Sequence, residues 1–248
     1  MTSTSHLLVT GGSRGIGAAI VRLACEDGFK VSFTYVAQQQ AAHALVQEMR
    51  DVGAQVQAIR AELADAACAP RVFDEAEQGL GPVTALVNNA GITGPLGRFE
   101  QASLDTLRRV LDVNVLATMA FSQQAVQRWR ARGAAGCIVN LSSIAASLGA
   151  PGEYVHYAAA KAAVEGFTVG LGKELAAENI RVNAVSPGTT LTDIHAAAGE
   201  PGRPARVAAR IPMQRPARPE EIAEAVRWLL TDRASYVTAT VLRAAGGL

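Results

Sequence analysis

Cysteine is scarce: the 248 residues include only Cys25, Cys68 and Cys137, scattered among apolar neighbours without the spacing of metal ligands. That excludes a disulfide framework and a zinc cluster, and leaves three small core residues suited to a reducing compartment. An excess of one charge is lacking too. The formal net charge is +1, so no basic face for nucleic acid is implied. Charged residues make up 18% of the chain against 49% hydrophobic, which excludes a disordered protein. No apolar run is long enough to span a membrane. The start, Met1-Thr-Ser-Thr-Ser-His6, lacks the charged opening and long apolar run of a signal peptide. Repeats and linker-like stretches are absent, so the chain reads as one domain over 1–248. The expectation is a cytoplasmic protein that uses no metal and binds neither nucleic acid nor membrane.

What is present is alternation. Leu7-Leu-Val-Thr10 is a short apolar run that stops at Gly11-Gly-Ser-Arg-Gly-Ile-Gly17, a helical pattern follows to about Gly28, and Lys30–Tyr35 reads as a second strand. Strand, glycine loop, helix and strand in that order form the first unit of a dinucleotide-binding sheet. Glycine suits the loop because the backbone must turn tightly and come close to a pyrophosphate, which the helix start then meets with free N–H groups. Further helical stretches fall at 41–52, 68–79, 103–132, 157–178 and from Pro219, and further strands at 54–59, 84–87, 137–142, 180–185 and 237–243. The economical architecture is an α/β Rossmann fold: one doubly wound parallel sheet of about seven strands with helices on both faces.

Such sheets bind ligands beyond the carboxyl ends of their strands. The unusual clusters fall there: the glycine loop, Asn88-Asn-Ala-Gly91, Ser143 and Pro187-Gly188. Beside them stands the pair Tyr157 and Lys161, spaced i, i+4 and so on one face of a helix. A phenol has a reference pKa of about 10, and about 4 kcal/mol of differential interaction would lower it by three units. A fixed ammonium one turn away favours the phenolate, which would make Tyr157 a general acid/base near neutrality.

Thr10-Gly-x-x-x-Gly-x-Gly17, Asn88-Asn-Ala-Gly91, Asn114, Ser143, Tyr157-x-x-x-Lys161 and Pro187-Gly188 together resemble the classical short-chain dehydrogenase/reductase family from about residue 7 to the C-terminus. Within it, Pro151-Gly-Glu-Tyr-Val-x-Tyr157 and Thr192-Asp-Ile-His195 are similar to a bacterial branch of NADP-dependent sugar (glucose-type) dehydrogenases. The resemblance implies that Tyr157 exchanges the proton with the substrate oxygen, and that Lys161 holds the nicotinamide ribose and depresses the Tyr157 pKa. It also implies that Ser143 hydrogen-bonds the substrate oxygen, with Ser142 as a rival, and that Asn114 kinks its helix and holds a water. Gly11, Ser13, Arg14, Gly15, Ile16 and Gly17 would surround the pyrophosphate and adenosine, with Tyr35 ending the second strand. Glu62 and Leu63 would meet the adenine, and Asn88, Ala90 and Gly91 the ribose side. Pro187, Gly188, Thr190 and Thr192 would reach the nicotinamide end.

The region Phe33-Thr-Tyr-Val-Ala-Gln-Gln-Gln40 contains no acid to bind a ribose 2′-hydroxyl. A 2′-phosphate is therefore not repelled, and Arg14 can pair with it. NADP(H) is the expected cofactor, with NAD(H) the alternative. The implied reaction is hydride transfer between nicotinamide and a secondary alcohol or ketone. A 3-oxoacyl thioester reductase shares every motif, and a dinucleotide sensor without turnover is the reading from another class. The segment 189–218 would form a substrate lid. Its His195, Arg203, Arg206 and Arg210 and its few large apolar side chains suggest a small polar carbonyl or sugar. The helix after Tyr157 carries Ala158, Ala162, Gly166, Phe167 and Gly170, a small-residue surface that fits a homo-oligomer, most simply a tetramer. His6 and His43 read as solvent-facing, His156 as turned away from the chemistry, and Trp129 and Trp228 as core or interface.

Overall fold

In the computed structural model, which describes residues 5–248, the first strand shows why the sheet needs cover on both sides. Strand β1 (His6–Val9) sends Leu7 and Val9 into one apolar cluster and Leu8 into another, all fully buried. The first cluster is closed by helices α1 (Gly15–Glu26), α2 (Gln39–Asp51) and α10 (Pro219–Leu230) through Ile20, Leu45, Ile222 and Leu229. The second is closed by α3 (Ala69–Leu80), α5 (Ala117–Arg132) and α7 (Val155–Leu175) through Phe73, Phe121, Trp129 and Leu175. Strands buried on both faces carry continuous apolar runs, which is how Leu7-Leu-Val-Thr10 reads.

The remaining strands are β2 (Lys30–Tyr35), β3 (Val56–Arg60), β4 (Ala85–Asn88), β5 (Gly136–Leu141), β6 (Ile180–Pro187) and β7 (Val241–Ala244). All pair in parallel, in the order β3-β2-β1-β4-β5-β6-β7. The order reverses direction between β1 and β4, and a ligand crevice opens at that switch point.

One expectation needs correction. His6 does not face solvent. It is fully buried, with Nδ1 2.7 Å from the Gly81 carbonyl and Nε2 2.8 Å from the Ser32 hydroxyl, because the first strand lies inside the sheet and both ring nitrogens find partners there. The expected helical stretch 103–132 is continuous from Leu104, and its kink falls at Asn114. Helix α4 (Leu104–Leu111) gives way to a π-turn at Asp112–Leu116 before α5 begins. His43 is exposed, and Trp129 donates its indole N–H to Val83 in the core. Among the described residues no helix is long and apolar enough to cross a membrane, and no cluster of His, Cys, Asp and Glu could hold a metal ion.

Candidate active site

The carboxyl ends of the central strands open into a cleft of about 830 Å³ that runs from the β2 edge to the segment after β6. At its floor the glycine loop is packed against its neighbours through backbone. A Cβ on Gly17 would stand 2.2 Å from the Gly11 carbonyl oxygen, and one on Gly11 (φ +67°) would stand 3.0 Å from Ala90 Cα. Side chains there would push the loop apart from its own backbone and from Ala90. No acidic residue occupies the first turn of α1 and no side chain caps it, so its N-terminal N–H groups stay available to an anion. Ser13, Arg14, Gly15 and Ile16 line this end with Tyr35, Glu62 and Leu63. These features fit a dinucleotide with its pyrophosphate over the loop.

Asn88 is not in the cleft. It shares a strand face with Leu86, so it turns toward α5, where its Nδ2 donates to Ser122 Oγ (3.0 Å) and Asn140 Oδ1 (2.9 Å). Asn89, which the sequence reading passed over, lines the cleft instead and ties its Nδ2 to the Thr10 and Gly11 carbonyls at 2.9 Å each. The period of two along the strand was the signal that separates the two asparagines.

The middle of the cleft gathers groups from four elements. The π-turn aims the buried Asn114 at residue 92, where its Oδ1 accepts from the Ile92 N–H (3.2 Å) and its Nδ2 donates to the Ile92 carbonyl (2.8 Å). Gly91 lies alongside, and a Cβ on it would stand 2.7 Å from Asn114 Oδ1 and 3.3 Å from Lys161 Nζ. Of the two serines after β5, Ser142 donates to Glu165 Oε1 (2.8 Å) and is committed to α7. Ser143 is the one left free of Glu165, with its hydroxyl near enough to the Tyr157 phenol to oppose the rise of its pKa. Pro187 ends β6 with Gly188 following it, Thr190 Oγ1 donates to the Gly188 carbonyl (3.0 Å), and Thr192 stands so close to Gly15 that a Cβ added there would come within 3.1 Å of its Cγ2.

The electrostatics differ from the expectation in one respect. Burial raises the Tyr157 phenol above its ordinary value, against the lowering effect of the nearby Ser143 hydroxyl. Burial also lowers the Lys161 ammonium to about 8. Lys161 Nζ points at the Leu141 carbonyl (2.7 Å) and lies 5.7 Å from the Tyr157 ring centroid. The ammonium therefore does not depress the phenol in this arrangement, because loss of water outweighs an attraction aimed elsewhere. Tyr157 stands as a protonated acid at neutral pH.

Beyond Tyr157 the walls are mainly apolar: Ile144, Leu148, Pro151, Tyr154, Val207 and Ile211. The polar side chains expected there are largely committed. His195 is buried against the Thr190 carbonyl (3.0 Å), Arg203 and Arg206 pair with Glu153, and Arg206 also pairs with Glu200. Arg210 lines the cleft exposed, with no acidic partner among the described residues. His156 bonds the Thr93 carbonyl (2.8 Å), away from Tyr157.

Comparison with known proteins agrees with this geometry. A family profile described as enoyl-(acyl carrier protein) reductase matches residues 11–248. An uncharacterized oxidoreductase, YgfF, of Escherichia coli is 43% identical over 97% of this chain and 98% of its own. The 3-oxoacyl-[acyl-carrier-protein] reductase FabG of Staphylococcus aureus is 35% identical over 100% of this chain and 99% of its own. Among solved structures, a blue fluorescent protein from a metagenomic library, crystallised in complex with NADPH, superposes with a TM-score of 0.88 at 37% identity, covering 98% of this chain and 97% of that one. The chain belongs to the classical short-chain dehydrogenase/reductase family, oxidoreductases that act on CH–OH or carbonyl groups with a nicotinamide dinucleotide.

Proposed function

We propose that this protein is an NADP(H)-dependent oxidoreductase that interconverts a ketone and a secondary alcohol, with carbonyl reduction the direction its resting protonation suits. The observation that carries this reading is the buried Tyr157 phenol, with Ser143 beside it in the cleft lining, where the cofactor end of the cleft meets its apolar end. A bound nicotinamide supplies or accepts the hydride. Tyr157 donates its proton to the carbonyl oxygen, and Ser143 donates a hydrogen bond to that oxygen. Lys161 holds the ribose side of the pocket and relays a replacement proton from the Asn114 side to Tyr157. NADP(H) is favoured because the end of β2 carries no acid and the half-exposed Arg14 stands at the same edge. The NADPH bound by the similar fluorescent protein supports the same choice.

The apolar walls shift the substrate class away from a sugar toward a carbonyl with a hydrocarbon body, since burying such a body is worth roughly 25 cal/mol for each Å². The segment 189–218 then acts as its lid. A 3-oxoacyl thioester reductase fits the same walls, and the relation to FabG favours it as the second reading. A homo-oligomer formed through α7 and the 104–132 region is also proposed. Ala162, Gly166 and Gly170 leave open space on α7, and Leu104, Leu111 and Leu116 are exposed. A light-scattering mass of a single chain would refute it.

Turnover with NADPH against ketones, sugars and acetoacetyl thioesters tests the reading. Tyr157→Phe should lower kcat by about 10²–10⁴-fold while NADPH binds within a few-fold. A variant that keeps a tenth of the rate removes Tyr157 from the proton step, and the absence of any turnover in the wild type favours a sensor.

A further inference from the structure

The wall beside Tyr157 is held from outside by charge. Helix α9 (Arg203–Val207) begins with Arg203, whose Nε donates to Glu153 Oε2 at 3.0 Å and whose Nη2 donates to the same oxygen. The pair is largely withdrawn from water, with side chains 11% and 19% exposed. The Arg203 guanidinium also lies over the Tyr154 ring, 5.2 Å from its centroid. Tyr154 in turn meets Tyr157 edge-on, with centroids 5.3 Å apart and planes at 85°. One side chain of the segment after β6 thus reaches the proton-transfer residue through a single aromatic ring.

We propose that Arg203 is a positioning residue for the proton step: it clamps Tyr154 against Tyr157, anchored by Glu153. The inference rests on the reading of Tyr157 given above. Guanidinium chemistry suits the role. Its planar fork can bind a carboxylate at one edge while its face lies on a ring, and it remains charged when buried, whereas an ammonium is a point charge that cannot do both. Arg206 supplies an internal control. It bonds the other oxygen of Glu153 at 2.8 Å and also Glu200, is 44% exposed, and makes no ring contact. The charged or titratable groups of this cluster are Lys161 on α7, Glu153 and Tyr154 in the turn before it, His195 on α8 (Ile194–Ala197), and Glu200, Arg203 and Arg206 in the lid; of these Tyr154 and Arg203 act on the Tyr157 phenol and Lys161 lies over its ring, while the rest surround Tyr154 and His195. Arg203 is the cation that opposes the rise of the Tyr157 phenol in this setting, so its removal should move the titration upward.

The test uses the full-length enzyme, one ketone that it turns over, and the variants Arg203→Met, Arg203→Lys, Arg206→Met and Tyr157→Phe, with NADPH binding followed by cofactor fluorescence. Arg203→Met should lower kcat about tenfold, a typical cost for loosening an aligned catalytic group. The alkaline fall of kcat should move up by several tenths of a pH unit, and NADPH affinity should stay within about twofold. Arg203→Lys should restore the pH profile but only part of kcat, and Arg206→Met should change neither. Should Arg203→Met fail to fold, Glu153→Gln, which keeps the cation but frees it, should still lower kcat several-fold. An unmoved pH profile in Arg203→Met, an equal effect in Arg206→Met, or a loss confined to KM overturns the proposal. If Tyr157→Phe is inactive while Arg203→Met behaves as wild type, only the positioning role fails. If Tyr157→Phe remains active, the reading of the site itself fails.

Discussion

At the glycine loop, backbone approaches backbone so closely that a single added carbon would stand 2.2 Å from the Gly11 oxygen, whereas α9 is held over Tyr154 by ion pairs between long side chains. The first end admits no residue but glycine at Gly17. The second constrains charge and reach and leaves the rest of its sequence free. A fixed cofactor and a variable substrate call for these two kinds of construction, and loops of the second kind are where specificity changes fastest.

The sharpest way to break that comparison is Gly17→Ala. Overpacking against rigid backbone costs about 1–3 kcal/mol even where neighbours relax, and here the atom met is a carbonyl oxygen in the loop itself. NADPH affinity should fall by about 100-fold, read by fluorescence titration. A variant that binds within threefold would show that the loop is softer than its packing suggests.

Lys161→Met probes the middle of the cleft and should separate stability from activity. Burial lowers the ammonium from 10.5 to about 8, so the native state gives up its proton before the unfolded chain does. Below pH 8 the cost of burying the charge is fully present, and it fades as pH rises from 8 toward 10.5. That cost is on the order of 3 kcal/mol, offset by about 1 kcal/mol for the bond to Leu141 that the variant loses. Lys161→Met should therefore be more stable than the wild type by about 2 kcal/mol at pH 7, with the gap closing by pH 10, while activity is lost. Urea unfolding at the two pH values checks it, and a variant less stable at pH 7 would refute the argument.

Arg14→Ala should have the smallest effect. The side chain is half exposed and already leans on Asp193 at 3.5 Å, so a 2′-phosphate contact there should contribute about 1 kcal/mol. The kcat/KM preference for NADPH over NADH should shrink about fivefold, mainly through KM. An unchanged ratio would move phosphate recognition to another residue.

The fold was legible because its signals are local. Short apolar runs followed by glycine, and helical periodicity between them, place every strand within a few residues of where it lies. The i, i+4 pair, the glycines and Asn114 were legible for the same reason, since each answers to the geometry of its own element. What escaped depends on partners distant in sequence. Ser142 and Ser143 are separated only by Glu165, which claims the first. The arginines of the lid read as substrate contacts until Glu153, fifty residues upstream of Arg203, is seen to engage two of them. His6 looked exposed because nothing in its own strand reveals the Gly81 carbonyl waiting for it.

The π-turn at Asp112–Leu116 works as an inserted residue. With 3.6 residues per turn, one residue fewer there would restore an unbroken α-helix and rotate α4 by about 100° about its axis relative to α5. Asn114 would swing off Ile92, and the face that α4 presents to α7 would change with it. The phase between two helices, set by one surplus residue, thus decides whether the middle of the active site holds together, and length variation in this family should avoid 112–116 while accumulating in 189–218.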